Sequence, residues 1–260
     1  MSETVRVERR AAVTILTLNR PEVRNALDDV TVDALRAALL ACEQDDTRCI
    51  ILTGAGGAFS SGADMKKAIA EAYTPEQSYK LLTDHYAPAL KAIRAFPYPV
   101  IAAVDGYAAG IGCDMALACD IRLVSERARF AELFIRLGLI PDGGGTYLLP
   151  RLIGLGRALE MLFTGADVDA QEAVSIGLAN RLYPTDTFMS DVLSYAERIS
   201  QQSPQALRRG KQAMLASLDS SYDEALAREA EHQRAILESE DGMEGFLAFN
   251  QKRPPVWKGR

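Results

Sequence analysis

Histidine is almost missing from this chain of 260 residues: there are two, His85 and His232, far apart in sequence. That leaves no HExxH pair, no histidine-rich metal cluster and little material for a Ser-His-Asp triad. The four cysteines, Cys42, Cys49, Cys113 and Cys119, form no CxxC pair and sit in apolar runs. They read as buried free thiols in a reducing cytosol. Positive charge is not in excess: 29 Lys and Arg face 35 Asp and Glu, for a net charge of −6. This argues against sequence-independent binding to nucleic acid, which needs a basic footprint. No stretch approaches the roughly 18 apolar residues of a membrane span. Residues 1–10 carry Glu3, Arg6, Glu8, Arg9 and Arg10 with no apolar core, so a secretory signal is not expected and the chain reads as cytoplasmic. There is no GxxxxGK[ST], and the clusters Gly54–Phe59 and Gly110–Met115 both lack the last glycine of a dinucleotide fingerprint. Chemistry is left to carboxylates and backbone amides, with no metal.

What is present suits one large core, since 48% of the residues are hydrophobic. Segments 5–9 and 13–18 read as a strand pair. Asp28 offers an N-cap for a helix with Val32, Leu35, Leu39 and Cys42 at helical spacing. Short apolar runs at 49–52, 100–104 and 121–124 read as buried strands, and 87–96 as a helix stopped by Pro97 and Pro99. Residues 65–80 are more polar and are expected to form a loop and helix over a site. From Leu155 the pattern is helical almost throughout, over 155–163, 169–176, 187–202, 204–218, 221–236 and 240–250. The fold class is α/β.

The most informative segment runs from Ile101 to Asp120, an apolar strand, a turn with glycines at 106, 110 and 112, and an apolar helix. Glycines let the backbone approach a ligand, and a helix start offers unpaired N–H groups. Phe59-Ser-Ser-Gly-Ala-Asp64 is a second turn of this kind. Two carboxylates stand out. Asp114 lies inside the apolar helix, which is costly unless it is paired or faces a wet pocket. Asp142, in Pro141-Asp-Gly-Gly-Gly145, is either catalytic or a cap for a helix starting near Thr146.

These turns, with Asn19–Leu27, Leu137–Thr146, Phe163–Ala166 and Phe246–Arg253, resemble the crotonase family of enoyl-CoA hydratases and isomerases, from about Val5 to Arg260. The Pro-Asp-Gly-Gly-Gly segment is similar to that of isomerase-type members. The resemblance implies a spiral of repeated β-β-α units over residues 1–198. It also implies a helical region over 199–260 that makes trimer contacts, in a homotrimer or hexamer. The implied substrate is an acyl-CoA thioester, so coenzyme A arrives with the substrate and no separate cofactor is needed. The amides of Ala63 and Ile111 become the donors to the thioester oxygen. Ile111 stands where hydratases usually have glycine, which requires Gly110 and Gly112 to take the unusual backbone angles. Arg24, Ala63, Lys66 and Lys252 become candidates for contacting coenzyme A, and Met65 and Phe134 for the acyl pocket.

The two glutamates of the hydratases fall on Asp114 and Phe134, and a phenyl ring cannot activate water. The expectation is therefore a double-bond isomerase with Asp142 as the main base and Asp114 assisting. Hydration of a 2-enoyl-CoA is the alternative within the family, and a non-catalytic acyl-CoA-binding protein the alternative outside it. Asp114 and Asp142 close together would favour an enzyme. Glu132, read as part of a helix, is expected to face elsewhere, at the surface or behind the site.

Overall fold

The computed structural model describes residues 3–259. Strands β1 (Val5–Arg10) and β2 (Val13–Leu18) form an antiparallel hairpin, and α1 (Asp29–Cys42) follows. Asp28 caps α1 by accepting from the Thr31 amide, and Val32, Leu35, Leu39 and Cys42 are buried as the spacing predicts. Then come β3 (Cys49–Gly54), α2 (Met65–Ala70), α3 (Pro75–Lys80), a π-helical turn over Leu81–Tyr86, and α4 (Ala87–Ala95). Strand β4 (Val100–Val104) leads through Gly106 into β5 (Tyr107–Ala109), α5 (Ile111–Ala118), β6 (Ile121–Ser125) and β7 (Arg129–Ala131). The rest comprises α6 (Gly145–Ile153), α7 (Leu155–Thr164), β8 (Asp167–Asp169), α8 (Ala170–Ser175), β9 (Arg181–Tyr183) and α9 (Phe188–Ser200). Helices α10 (Pro204–Ser217), α11 (Tyr222–Leu237) and α12 (Glu240–Gln251) close the chain.

Six strands form the main sheet in the order β1-β2-β3-β4-β6-β9, parallel from β2 onward. A second layer runs beside it: β5 pairs with β7, β7 pairs with β8, and single bridges link Leu27 to Ala63 and Ser60 to Ala108. Each turn of chain thus crosses the main sheet, steps into the second layer and returns through helix. This is the spiral of β-β-α units expected above.

Both faces of the sheet are buried at β2, β3 and β4, so these strands are apolar nearly throughout rather than alternating, whereas the edge strand β1 is charged and exposed. Leu16, Ile50, Leu52, Ala102, Val104 and Val124 face α1, α4 and α5, while Ile15, Ile51, Ile101 and Leu123 face Phe188, Val192 and Ala196 of α9. The corner at Gly106 is where the two layers are stitched together. Its φ is +74°, and a Cβ there would lie 2.1 Å from the Gly57 carbonyl oxygen, so no side chain fits.

All four cysteines are buried and unpaired. Among the described residues no helix is long and apolar enough to cross a membrane. Helix α10 is tied to the core by Lys211, whose ammonium lies 2.7 Å from Asp120 and donates to the Tyr98 carbonyl. Asp219, just beyond α10, meets the Tyr147 hydroxyl of α6.

Candidate active site

The first turn, Ser60–Asp64, is held by the Arg20–Leu27 segment. The Ser61 amide donates to the Arg24 carbonyl, the Leu27 amide to Gly62, and the Asp64 amide to Leu27. Buried Asn25 donates to the carbonyls of Ala55 and Ala58, fixing the exit of β3 to the same segment. The Arg20 guanidinium reaches Asp64 at 2.7 Å. With these bonds made, the Ala63 amide has no hydrogen-bond partner among the described residues.

The second turn abuts the first. A Cβ on Gly62 would come 2.8 Å from the Ala109 carbonyl oxygen and 3.8 Å from Gly110. Gly110 takes φ +52°, ψ −131°, a conformation open to glycine alone, and α5 begins at the next residue. Ile111 keeps an ordinary negative φ and has an amide that the helix itself cannot satisfy. One expectation needs correcting here. Gly112 is not backbone-strained; it is glycine because a Cβ would lie 2.7 Å from the Ser60 side chain.

Beside the first turn lies a cavity of about 240 Å³, lined by Leu27, Ala63, Met65, Tyr86, Leu139 and Asp142 among others. Its walls are mainly apolar. Asp28 and Asp64 also touch it, but both face cations: Arg20 reaches each of them, and Lys67 lies 3.6 Å from Asp28. Asp142 has no such partner among the described residues. Its side chain is exposed at the cavity wall, and the partial desolvation it meets there pushes its carboxyl up to about 6. Asp142 is not a helix cap: the N-cap of α6 is Gly144, which has no side chain to give.

Behind Asp142 sits Asp114, fully buried, with Oδ2 accepting from the Gly143 amide at 2.8 Å. Its fit is tight. A Cβ on Gly143 would lie 2.6 Å from the Asp114 Cβ, and one on Gly145 would lie 2.3 Å from Asp114 Oδ1. The glycines of the Pro141–Gly145 turn therefore make room for a carboxylate, and that turn presents Asp142.

Sequence and structural relatives agree on one family. The family model for enoyl-CoA hydratase/isomerase matches residues 8–260. The chain is 37% identical over 262 residues to a 2,3-dehydroadipyl-CoA hydratase of Escherichia coli, covering all of both chains. It is 35% identical over 250 residues to a short-chain-enoyl-CoA hydratase of Clostridium acetobutylicum, covering 95% of this chain and 94% of that one. The crystal structure of an enoyl-CoA hydratase from Bacillus anthracis superposes with a TM-score of 0.95 at 33% identity, over 99% of this chain and 100% of the other. The chain belongs to the enoyl-CoA hydratase/isomerase family.

As a member of that family it is an acyl-CoA enzyme of crotonase fold. The relatives' names carry hydratase rather than the isomerase expected from the Pro-Asp-Gly-Gly-Gly segment. The expected site residues are only partly brought together. Ala63, Met65 and Asp142 line the cavity, whereas Ile111 and Asp114 stand one layer back, against Gly143. Phe134, expected in the acyl pocket, does not reach the cavity wall; a 3₁₀ turn over Leu133–Leu137 buries it with its ring against Gly110. Of the apolar residues in 65–80, Met65 and Tyr73 line the cavity, while Ile69 and Tyr79 face solvent. Arg24 and Lys66 are exposed near the first turn with no side-chain partner among the described residues. Lys252 is the exposed C-cap of α12 and does not line the cavity. Lys67, next to Lys66, is drawn into the cavity mouth by Asp28 and Asp29.

Glu132 lies behind the site rather than at the surface, and the helical reading of its segment is corrected. The segment is not helical at this residue: β7 ends at Ala131, and the 3₁₀ turn starts at Leu133. The Gly110 amide donates to the Ala131 carbonyl, which sets Glu132 beside the start of α5. Its side chain is fully buried, and neither carboxylate oxygen has a hydrogen bond of ordinary geometry. Burial is the first cause of its rise to about 7, and the nearby Asp142 charge adds to it, while the Cys113 thiol opposes it. Asp114 is pushed well above the usual carboxylate range by burial and then by Glu132.

Proposed function

We propose that this enzyme moves the double bond of an enoyl-CoA thioester, with Asp142 as the proton carrier. The observation that carries this reading is that Asp142 is the carboxylate on the cavity wall that no cation among the described residues neutralises. In the forward direction the Asp142 carboxylate takes a proton from the α-carbon of a 3-enoyl thioester. The C–H electron pair enters the conjugated system, and negative charge develops on the thioester oxygen. The amides of Ala63 and Ile111 then serve as its donors, each supplying about 3–4 kcal/mol of stabilisation. The neutral Asp142 acid returns the proton to the γ-carbon, giving the 2-enoyl ester with all atoms conserved. A base near neutrality suits this role, since the proton must be both taken and returned. The mainly apolar walls suit an acyl chain or ring. Arg24 and Lys66 are proposed to meet the phosphates of coenzyme A. Lys252 joins them only if the end of α12 lies near a neighbouring copy's site. Coenzyme A is part of the substrate, and no separate cofactor is proposed.

A second reading is hydration of a 2-enoyl-CoA, favoured by the relatives' names. On that reading Asp142 activates water, with the same two amides holding the enolate. Incubating the protein separately with a 3-enoyl-CoA and a 2-enoyl-CoA, followed by mass spectrometry, separates the two. The first reading expects an isobaric 2-enoyl product; gain of one water by the 2-enoyl ester without isobaric conversion of the 3-enoyl ester replaces it with the second. No turnover of either, with coenzyme A still bound, leaves a binding protein.

The proposal includes self-association through α10–α12. Phe246 and Phe249 on α12 are 63% and 87% exposed, and Met243 and Leu247 of the same helix are exposed too, an apolar patch of the kind that marks protein contacts. Sedimentation of the pure protein is expected to give three or six copies; a monomer at micromolar concentration rejects this part.

A further inference from the structure

We infer that the cavity takes an acyl group with an uncharged end and rejects one that ends in a carboxylate. This rests on the proposal that the cavity is the acyl pocket. Four carboxylates stand at its wall or next to it: Asp28, Asp64 and Asp142 line it, and Asp29 holds Lys67, which lines it too. Among the described residues, two cations are set against them. The Arg20 guanidinium reaches Asp64 at 2.7 Å and Asp28 at 3.4 Å, and its Nη1 also donates to the Ala26 carbonyl. The Lys67 ammonium donates to Asp29 and lies 3.6 Å from Asp28. Both cations are thus already held by acids of the protein, and negative charge remains in excess. Arg24 and Lys66 do not line the cavity and leave that balance unchanged.

The excess is felt inside the cavity. Tyr86 is on its wall, and burial, followed by the charges of Asp142, Asp28, Asp64 and Asp29, holds the Tyr86 hydroxyl above its ordinary value. That hydroxyl already donates its one proton to the Leu27 carbonyl at 2.7 Å, so it has no donor left for a ligand. Tyr73 and Ser78 bring neutral hydroxyls to the wall, and a neutral hydroxyl does not replace a counter-ion for a desolvated carboxylate. Much of the remaining wall is apolar, with Leu27, Met65, Leu81, Leu82 and Leu139. A methyl or phenyl end is stabilised by contact with these side chains. A carboxylate end gives up water there, finds both cations taken and is repelled by the excess charge.

The test compares hexanoyl-CoA with adipyl-CoA, the same length of saturated chain ending in a methyl or in a carboxylate. Neither can undergo the proposed reaction, so titration calorimetry of the full-length protein reads the pocket without turnover. In mildly alkaline, low-salt buffer, hexanoyl-CoA is expected to bind at least about thirtyfold more tightly than adipyl-CoA. Adipyl-CoA is expected to bind no more tightly than coenzyme A itself. Equal affinities, or tighter binding of adipyl-CoA, overturn the inference; if both esters bind only as well as coenzyme A, the acyl-pocket proposal falls with it. Asp28→Asn removes one charge from the wall and keeps the cap of α1, since asparagine caps as well as aspartate. This variant is expected to narrow the ratio by about threefold to tenfold, and an unchanged ratio also overturns the inference. If hex-3-enoyl-CoA is not isomerised while the calorimetric ratio holds, the proposed reaction fails and the selectivity for an uncharged acyl end stands.

Discussion

Asp142→Asn is expected to lower kcat by about a thousandfold or more while the affinity for coenzyme A stays within about twofold. General acid–base groups contribute roughly 10²–10⁴ in rate, and here one group performs both proton transfers, so the upper part of that range applies. Asparagine keeps the size and polarity of the side chain but cannot take a proton. The fold should tolerate it, since the Asp142 side chain caps no helix and holds no cation. Its removal should change stability little, because the group is open to water along the cavity wall. Steady-state kinetics on the wild-type substrate and titration calorimetry with coenzyme A measure the two quantities independently. A kcat within about tenfold of wild type would remove Asp142 from the chemistry. The buried Asp114 would not then replace it, since Gly143 stands between that carboxylate and the cavity.

The parts of this molecule that depend on periodicity were legible in the sequence. The α1 stripe of Val32, Leu35, Leu39 and Cys42 is buried where its spacing puts it, and the apolar runs at 49–52 and 100–104 are central strands. The three-residue strands β5, β7, β8 and β9 are too short to show any period, and their pairing comes from the spiral itself. Missing β7 is what misplaced Glu132. A helical reading of 130–138 rotates that residue away from the site, whereas a strand ending at Ala131 delivers it beside the start of α5. The one available signal was an acidic residue enclosed by Phe130, Ala131, Leu133 and Phe134, an apolar setting that charge avoids unless it has a purpose. The ion-pair mouth of Arg20, Asp28, Asp64 and Lys67 could not be read locally, because its members come from separate segments joined only by the fold. Ile111 was the opposite case. Steric exclusion of positive φ for a β-branched residue predicts that Gly110 must carry the strain, and it does.

Stability should fall as pH rises through neutrality, against the usual behaviour of a protein rich in surface ion pairs. Glu132 moves from its ordinary 4.5 to about 7 on folding, Asp142 from 3.8 to about 6, and Asp114 well above its ordinary value. All three bind protons more tightly in the folded chain than in the unfolded one. Their contribution is therefore complete below the unfolded values and is lost as pH climbs through the folded ones. For fully buried Glu132 that loss is about 3 kcal/mol across the whole window, of which about 1 kcal/mol falls between pH 6 and pH 8. Asp142 contributes less, because the cavity leaves it open to water. The opposing carboxylates are held below their ordinary values, Asp29 by the Lys67 ammonium and Asp64 by the Lys67 amide and then Arg20, so they weaken the fold only in more acidic solution. Between pH 5 and 8 the site carboxylates are expected to set the slope. Urea unfolding followed by circular dichroism should give a lower unfolding free energy at pH 8 than at pH 6, and Glu132→Gln should flatten the difference. Equal or rising stability over that interval would mean that water or another donor reaches Glu132 in solution and that its carboxyl is not enclosed as described. A slope unchanged by Glu132→Gln but removed by Asp114→Asn would assign the bound proton to Asp114 alone.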